Sequence, residues 1–318
     1  MKVVVLGGGS WGSAFAALVA EGGHDVVLAC RDAQQARSIQ ETGRNPRYLR
    51  GLDLTRVRAA ELADAPVAEA DFVAVAIPSR AFRDVVQGLP GAAPILSLAK
   101  GLDPGSGERL SRVVGERPVA VLSGPNHAEE VAEGLPAAAV IACEDEALAL
   151  ELQDAVHSPR FRVYVNTDVA GVELCAAAKN VIALGAGAVD GLGMGDNAKA
   201  ALITRGLAEM ARLGDAAGAR PETFAGLAGM GDLVVTCWSR HSRNRRAGEL
   251  IARDATVEEA VAEIAMAIEG VTTAPVLRDL ARRLGIELPI TEAVCEVLAG
   301  ESPRVAVAAL MERPPTGE

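Results

Sequence analysis

Three groups of residues in this chain have the types and spacing to do chemistry. The first is Gly7, Gly9 and Gly12, a G-x-G-x-x-G run lying between the apolar stretch VVVL and a second apolar stretch, Ser13 to Ala20. The second is Lys179, which with Glu173 and Asn180 interrupts an otherwise apolar or small stretch from Val169 to Val189. The third runs from Gly226 to Gly248. There Gly226, Gly229 and Gly231 lead into Asp232, and Arg240, Arg243, Arg245 and Arg246 crowd together.

Each group suits a particular task. A β-branched run breaking into glycines and then a helix is a corner for an anion. One glycine allows the tight turn, the next lets a pyrophosphate approach the backbone, and the third lets helix pack on sheet. Free N–H groups of the first helical turn then face the phosphates. A plain glycine turn would show the same spacing, but the strand–turn–helix context favours a dinucleotide. Lys179 has two readings. Its apolar surroundings would lower its pKa toward neutrality, so that it moves a proton while Asn180 orients a substrate oxygen. Alternatively its stem lies along a packed helix and its head reaches the rim. The arginine segment suits a phosphate, because guanidinium binds phosphate bidentately and Ser242 can cap a helix opening with Arg243 and Asn244. A solvated basic face accounts for Arg245 and Arg246 but not for the glycine run.

Further candidates lie at strand ends. Lys100 follows the strand Ile95–Leu98, and Gly124 to Ala128 follow another, at the sheet edge where ligands bind. His127 in such a turn reads as structural, and His24, His157 and His241 show no metal spacing. The strand Val26–Ala29 runs into Cys30, Arg31 and Asp32 with no acid at its last position. Arg31 is thus placed for the 2′-phosphate of NADP, unless it merely pairs with Asp32.

The elements that must position these groups fall into two sets. Strand-like runs at Val3–Leu6, Val26–Ala29, Phe72–Ile77, Ile95–Leu98, Val119–Leu122, Ala137–Ala142 and Phe161–Val165 alternate with helical patterns such as Gln34–Glu41 and Ala81–Gly88. From Asp168 onward helices dominate: Val169–Ala188, Asn197–Ala217, Arg245–Arg253, Val257–Ile268, Ala274–Leu284 and Ile290–Ala299, with one short strand candidate at Leu233–Val235. The expected fold class is α/β. An N-terminal Rossmann-type doubly wound sheet (residues 1–178) precedes an all-helical substrate-binding and catalytic domain (179–318). The tail after Met311 reads as frayed.

Composition narrows the function classes. In 318 residues, 31 basic against 42 acidic side chains give a net charge of −11, which argues against nonspecific nucleic-acid binding. The five cysteines are scattered and never in C-x-x-C spacing, so neither a disulfide framework nor a metal site is expected. No signal peptide and no bilayer-spanning stretch are read, so a cytoplasmic protein is expected.

Taken together, LGGGSWGSA, AIPS, SLAKGLDP, LSGPNHAEE, GVELCAAAKNVIALGAG, DGLGMGDNAKAALITRGLAEMARLG, the glycine–arginine segment, IEGVTTA and LPITEAV resemble the bacterial-type NAD(P)-dependent glycerol-3-phosphate dehydrogenases nearly end to end. The resemblance implies reversible reduction of dihydroxyacetone phosphate to sn-glycerol 3-phosphate, supply of glycerophospholipid synthesis, and a homodimer. It implies Lys179 as the catalytic proton carrier, with substrate contacts at Lys100, Gly124, Asn126, Asp232, Ser242, Arg243 and Asn244. Cofactor contacts fall on Ser10, Trp11, Arg31, Tyr48, Lys100, Ala128, Arg243, Ala267 and Glu269, beside the three glycines. NADP is favoured over NAD, and no metal is implied. The chain departs from the family where Asn126 replaces Ser or Thr, Cys30 a basic or imidazole side chain, and Leu28 a tryptophan; Ala267 offers only backbone. Rival readings are a related 3-hydroxyacid dehydrogenase and a non-catalytic dinucleotide sensor.

Overall fold

The computed structural model describes residues 1–314, which divide into two compact units. Unit one comprises Met1–Asp103 and Glu108–Glu173; unit two comprises Pro104–Gly107 and the chain from Leu174.

In unit one the order is β1 (Lys2–Leu6), α1 (Ser10–Glu21), β2 (Asp25–Cys30), α2 (Ala33–Thr42), β3 (Val57–Glu61), β4 (Phe72–Val75), α3 (Ser79–Gln87), β5 (Ile95–Ser97), α4 (Leu110–Val113), β6 (Val119–Ser123), α5 (Ala128–Ala132), β7 (Ala137–Ala142), α6 (Glu146–Val156) and β8 (Phe161–Asn166). The eight strands form one sheet, β3-β2-β1-β4-β5-β6-β7-β8. All neighbours run parallel except β6 and β7. Successive side chains alternate between faces. Val3 and Val5 of β1 therefore pack with Phe15 and Phe161, whereas Val4 and Leu6 pack with Phe82 and Leu110. This two-faced burial is why β1 reads as an unbroken apolar run. Strand order reverses direction between β1 and β4, the switch point at which doubly wound sheets bind ligands.

β3 escapes the sequence reading. Its residues VRAAE sit at the sheet edge and only Val57 is buried, so no apolar run marks it. At the opposite edge, β8 is covered by the chain itself. Gln153 Nε2 donates to the Val163 carbonyl (2.8 Å), and the Val163 N–H donates to His157 Nδ1 (3.3 Å).

The remaining helices are α7 (Val169–Gly191), α8 (Gly195–Ala216), α9 (Pro221–Ala225), α10 (Asp232–Trp238), α11 (Arg243–Ile251), α12 (Val257–Ile264), α13 (Glu269–Leu284), α14 (Pro289–Leu298) and α15 (Pro303–Met311). The strand candidate Leu233–Val235 is instead the middle of α10. A three-residue apolar run cannot distinguish the two, and here it continues a helical turn. Of the tail expected to fray, residues 315–318 lie outside the described residues. α7 is long and apolar enough to cross a membrane (mean hydropathy 1.5), but it carries Glu173 and Lys179, and 89% of that window is buried within the protein, as in a core helix.

Glycine governs how α7 meets α11. A Cβ on Gly187 would lie 1.8 Å from the Arg245 carbonyl oxygen, and one on Gly248 would lie 1.9 Å from that of Leu184. Only hydrogens fit at such distances, so the two backbones touch. Elsewhere in unit two, the buried Glu209 carboxylate accepts the backbone N–H groups of Ile290 (2.5 Å) and Thr291 (3.3 Å) at the start of α14. Burial raises its pKa to about 7, against the lowering effect of these hydrogen bonds. The folded state therefore holds a proton that the unfolded chain releases near pH 4.5. Stability from this group is full below that pH and falls as pH rises to about 7, by roughly 3 kcal/mol. In Glu209→Gln, urea unfolding across this range should show the variant gaining on the native protein by that amount. A constant difference between the two would refute the assignment.

Candidate active site

In unit one the glycine corner has the three geometries a pyrophosphate loop needs. Gly7 has φ +111°, and a Cβ there would stand 2.5 Å from the Ala76 carbonyl oxygen, so the turn requires glycine. A Cβ on Gly12 would meet the Gly7 carbonyl oxygen at 1.9 Å, so α1 packs on the loop only without a side chain. At Gly9 a Cβ would meet nothing within 4 Å, which leaves open space beside the backbone where a pyrophosphate can lie. Ser10 and Trp11 open α1, so their N–H groups belong to the turn that lacks intrahelical partners. The Trp11 ring itself packs against Phe15 and Phe161, with centroids 6.0 and 6.2 Å away. The corner fits a dinucleotide.

Residues that the sequence reading did not single out hold this loop. The Gly8 carbonyl accepts Gln35 Nε2 (2.6 Å) and Asn45 Nδ2 (3.0 Å). Asn45 Nδ2 also reaches Ser13 Oγ (2.9 Å), while Asn45 Oδ1 accepts the N–H groups of Arg47 (3.0 Å) and Tyr48 (3.2 Å). Tyr48 is thereby tied to the glycine turn. Cys30 is fully buried beneath it, with Sγ 2.5 Å from where a Gly8 Cβ would stand, and burial pushes its thiol up to about 11. It packs and stays neutral. Arg31 is exposed and makes no hydrogen bond or ion pair among the described residues, because Asp32 pairs with Arg47 instead.

Lys100, Gly124 and Asn126 come together at the ends of β5 and β6. Lys100 Nζ donates to the Gly124 carbonyl (3.1 Å) and to Asn126 Oδ1 (2.9 Å). That contact fixes the amide's orientation, and Asn126 Nδ2 is a buried donor without a partner among the described residues. His127 occupies the N-cap position of α5 without a side-chain cap bond, and Ala128 is buried as that helix's first residue. Glu173 accepts Ser111 N–H (2.8 Å), Ser111 Oγ–H (2.5 Å) and Arg109 Nη1 (3.2 Å), which anchors the segment beyond Lys100. Burial raises its pKa against those hydrogen bonds.

In unit two Lys179 is buried and meets a carboxylate. Its Nζ lies 2.5 Å from Asp232 Oδ1 and 2.9 Å from Thr236 Oγ1. The rim reading of Lys179 fails, since the residue is only 4% exposed. The ion pair offsets the desolvation that an apolar helix would impose on a lone ammonium. Asp232 is aimed by a π-helical turn, Leu227–Gly231, that feeds α10. A Cβ on Gly229 would fall 2.2 Å from the Phe224 carbonyl oxygen, so the glycine run serves backbone packing. Thr236, one helical turn beyond Asp232, was not foreseen; the i,i+4 spacing was its signal.

Asn180 and Asn244 are joined across α7 and α11, with Nδ2 of Asn244 2.9 Å from Oδ1 of Asn180. The Gly270 N–H donates to Asn244 Oδ1 (2.9 Å), which fixes the start of α13, where Glu269 is half-buried beside Ala267. Ser242 caps α11 through the Arg245 N–H (3.2 Å). The arginine cluster separates by role. Arg245 binds Asp190 (2.6 Å) and Glu249 (3.1 Å), and Arg246 binds Glu263 (2.8 Å). Arg243 is exposed at the first position of α11 and makes no such pair among the described residues. No group of three or more His, Cys, Asp or Glu is placed to hold a metal ion among the described residues.

A doubly wound sheet with a pyrophosphate loop, and a helical unit with a buried lysine–carboxylate pair, define a nicotinamide-dinucleotide-dependent oxidoreductase. Residues 2–149 match the family model for the NAD-dependent glycerol-3-phosphate dehydrogenase N-terminus, and residues 168–308 match that for the C-terminus. The chain is 48% identical to glycerol-3-phosphate dehydrogenase [NAD(P)+] of Moorella thermoacetica, over 100% of this chain and 97% of that protein. It is 47% identical to the Streptomyces coelicolor protein of the same name, over 98% and 97%. The crystal structure of glycerol-3-phosphate dehydrogenase from Coxiella burnetii superposes with a TM-score of 0.93 at 38% identity, covering 98% of this chain and 99% of that one. The chain belongs to the NAD-dependent glycerol-3-phosphate dehydrogenase family.

Proposed function

We propose that this enzyme catalyses the reversible NAD(P)H-dependent reduction of dihydroxyacetone phosphate to sn-glycerol 3-phosphate, supplying glycerophospholipid synthesis. Residues 1–178 form the NAD(P)-binding domain and residues 179–318 the substrate-binding and catalytic domain, with contacts to each ligand also drawn from the other. The observation that carries this reading is the buried Lys179, held by Asp232 and Thr236.

A nicotinamide dinucleotide bound at the glycine corner would supply the hydride that the carbonyl carbon takes up. Lys179 gives its proton to the carbonyl oxygen and takes it back in the reverse direction. Asp232 and Thr236 keep the ammonium charged and aimed. Arg243 and Asn244, at the capped start of α11, receive the substrate phosphate, where guanidinium and free helical N–H groups both favour an anion. Lys100 adds positive charge for the developing alkoxide, with Gly124 and Asn126 as neighbouring contacts. Gly7, Gly9, Ser10, Trp11 and Gly12 hold the pyrophosphate, with Tyr48, Ala128, Ala267 and Glu269 as further cofactor contacts. Arg31, exposed and without an ion-pair partner among the described residues, supports NADP over NAD. The family resemblance supports a cytoplasmic homodimer.

Steady-state oxidation of NADPH and of NADH, each with dihydroxyacetone phosphate, tests substrate and cofactor together. Activity confined to 3-hydroxy acids would move the substrate class, and no turnover with any triose phosphate would leave a nucleotide sensor.

A further inference from the structure

Arg31 is not the only guanidinium at the end of β2. Arg47 Nη2 donates to Asp32 Oδ2 at 2.5 Å, and the Arg47 side chain is 57% exposed. Asp32 is itself fixed: its Oδ1 accepts the N–H groups of Gln34 (2.9 Å) and Gln35 (3.1 Å) as the N-cap of α2. Both carboxylate oxygens are engaged. The backbone that carries Arg47 is fixed as well, because Asn45 binds the Arg47 N–H with one end of its amide and the Gly8 carbonyl with the other. The guanidinium is therefore held beside the residues that follow β2, on a segment fastened to the pyrophosphate loop. In sheets of this kind, that position faces the adenosine ribose, where a free acid reads the 2′-OH of NAD and an arginine receives the 2′-phosphate of NADP.

We propose that Arg47 is the second guanidinium of a 2′-phosphate subsite and that the Asp32–Arg47 pair sets the choice between NADP and NAD. With NADP, Arg47 leaves Asp32 and joins Arg31 on the phosphate, exchanging one charge-assisted contact for another made to a more highly charged anion. The α2 cap holds Asp32 in place meanwhile. With NAD there is no phosphate to draw Arg47 away, so Asp32 stays paired and its charge is already neutralised toward the ribose 2′-OH. The pair thus tells the two apart, adding a cation for NADP at the cost of the Asp32 contact and offering NAD an acid already paired. This rests on the reading of the chain as an NAD(P) enzyme.

The test uses Arg47→Ala and Arg47→Lys in the full-length protein, with calorimetric binding of 2′,5′-ADP and 5′-AMP beside the NADPH-to-NADH ratio of kcat/KM. Arg47→Ala should weaken 2′,5′-ADP binding roughly 10- to 100-fold and lower the kcat/KM ratio by a similar factor, with 5′-AMP affected far less. Arg47→Lys should recover part of the loss. An equal loss for both nucleotides would make Arg47 a mere support of its turn and overturn the proposal. Unchanged 2′,5′-ADP binding in Arg47→Ala would overturn it too. Failure of the native protein to bind either nucleotide would instead overturn the parent reading, and this subsite with it.

Discussion

In a Lys179→Met variant, turnover with dihydroxyacetone phosphate should fall by about 10³-fold, within the ~10²–10⁴ that a positioned acid–base group supplies. NADPH binding should survive, since the glycine corner is built from other residues. The substitution also leaves Asp232, 1% exposed, without its cation. Stranding one partner of a buried pair costs about 3–5 kcal/mol, so the variant should be markedly less stable. A double variant, Lys179→Met with Asp232→Leu, separates the two effects. Removing both charges should restore most of the stability and none of the turnover. Near-native turnover in a folded Lys179→Met protein would rule out the proton-transfer role.

The second large effect is expected from a single methyl group. Gly248→Ala places a Cβ 1.9 Å from the Leu184 carbonyl oxygen, a backbone atom in the middle of α7 that cannot turn aside. The helices must separate, at a cost of about 3 kcal/mol or more. Because α7 carries Lys179 and Asn180 while α11 carries Arg243 and Asn244, turnover should fall along with stability. The hydrogen bond from Asn244 to Asn180 depends on the same crossing. Gly185→Ala is the contrasting case. Its Cβ would lie 3.4 Å from Leu202 Cδ1 and 3.7 Å from Val294 Cγ2, ordinary contact distances inside an α-helix. That change should stabilise by about 1 kcal/mol through helix propensity alone. Comparing the two thermal midpoints checks both, and a Gly248→Ala protein as stable as the native one would contradict the close crossing.

What the sequence revealed depended on whether the cause was local. The pyrophosphate loop was legible because its three glycines, its strand and its helix are neighbours in the chain. The buried strands were legible because two-sided burial leaves continuous apolar runs, and β3 was not because an edge strand needs none. Lys179 stood out as a charge in an apolar helix, yet its burial against Asp232, which removes the rim alternative, is something only folding brings about. Asn45 gave no signal at all, as an asparagine before a proline looks like any turn. Its role appears once Gly8, Ser13, Arg47 and Tyr48 are seen around it. Arg243 was set apart from Arg245 and Arg246 by its place beside a capping serine, but the acidic partners of Arg245 and Arg246 are matters of three-dimensional placement.

The covering of β8 bears on how copies of this chain can associate. An outer strand normally offers a row of unpaired N–H and C=O groups that a second molecule can extend. Here Gln153 and His157 already occupy both groups of Val163. A sheet continued from one copy into another through this edge would first have to break those bonds at Val163. Pairing of a second copy onto β8 is therefore disfavoured at Val163.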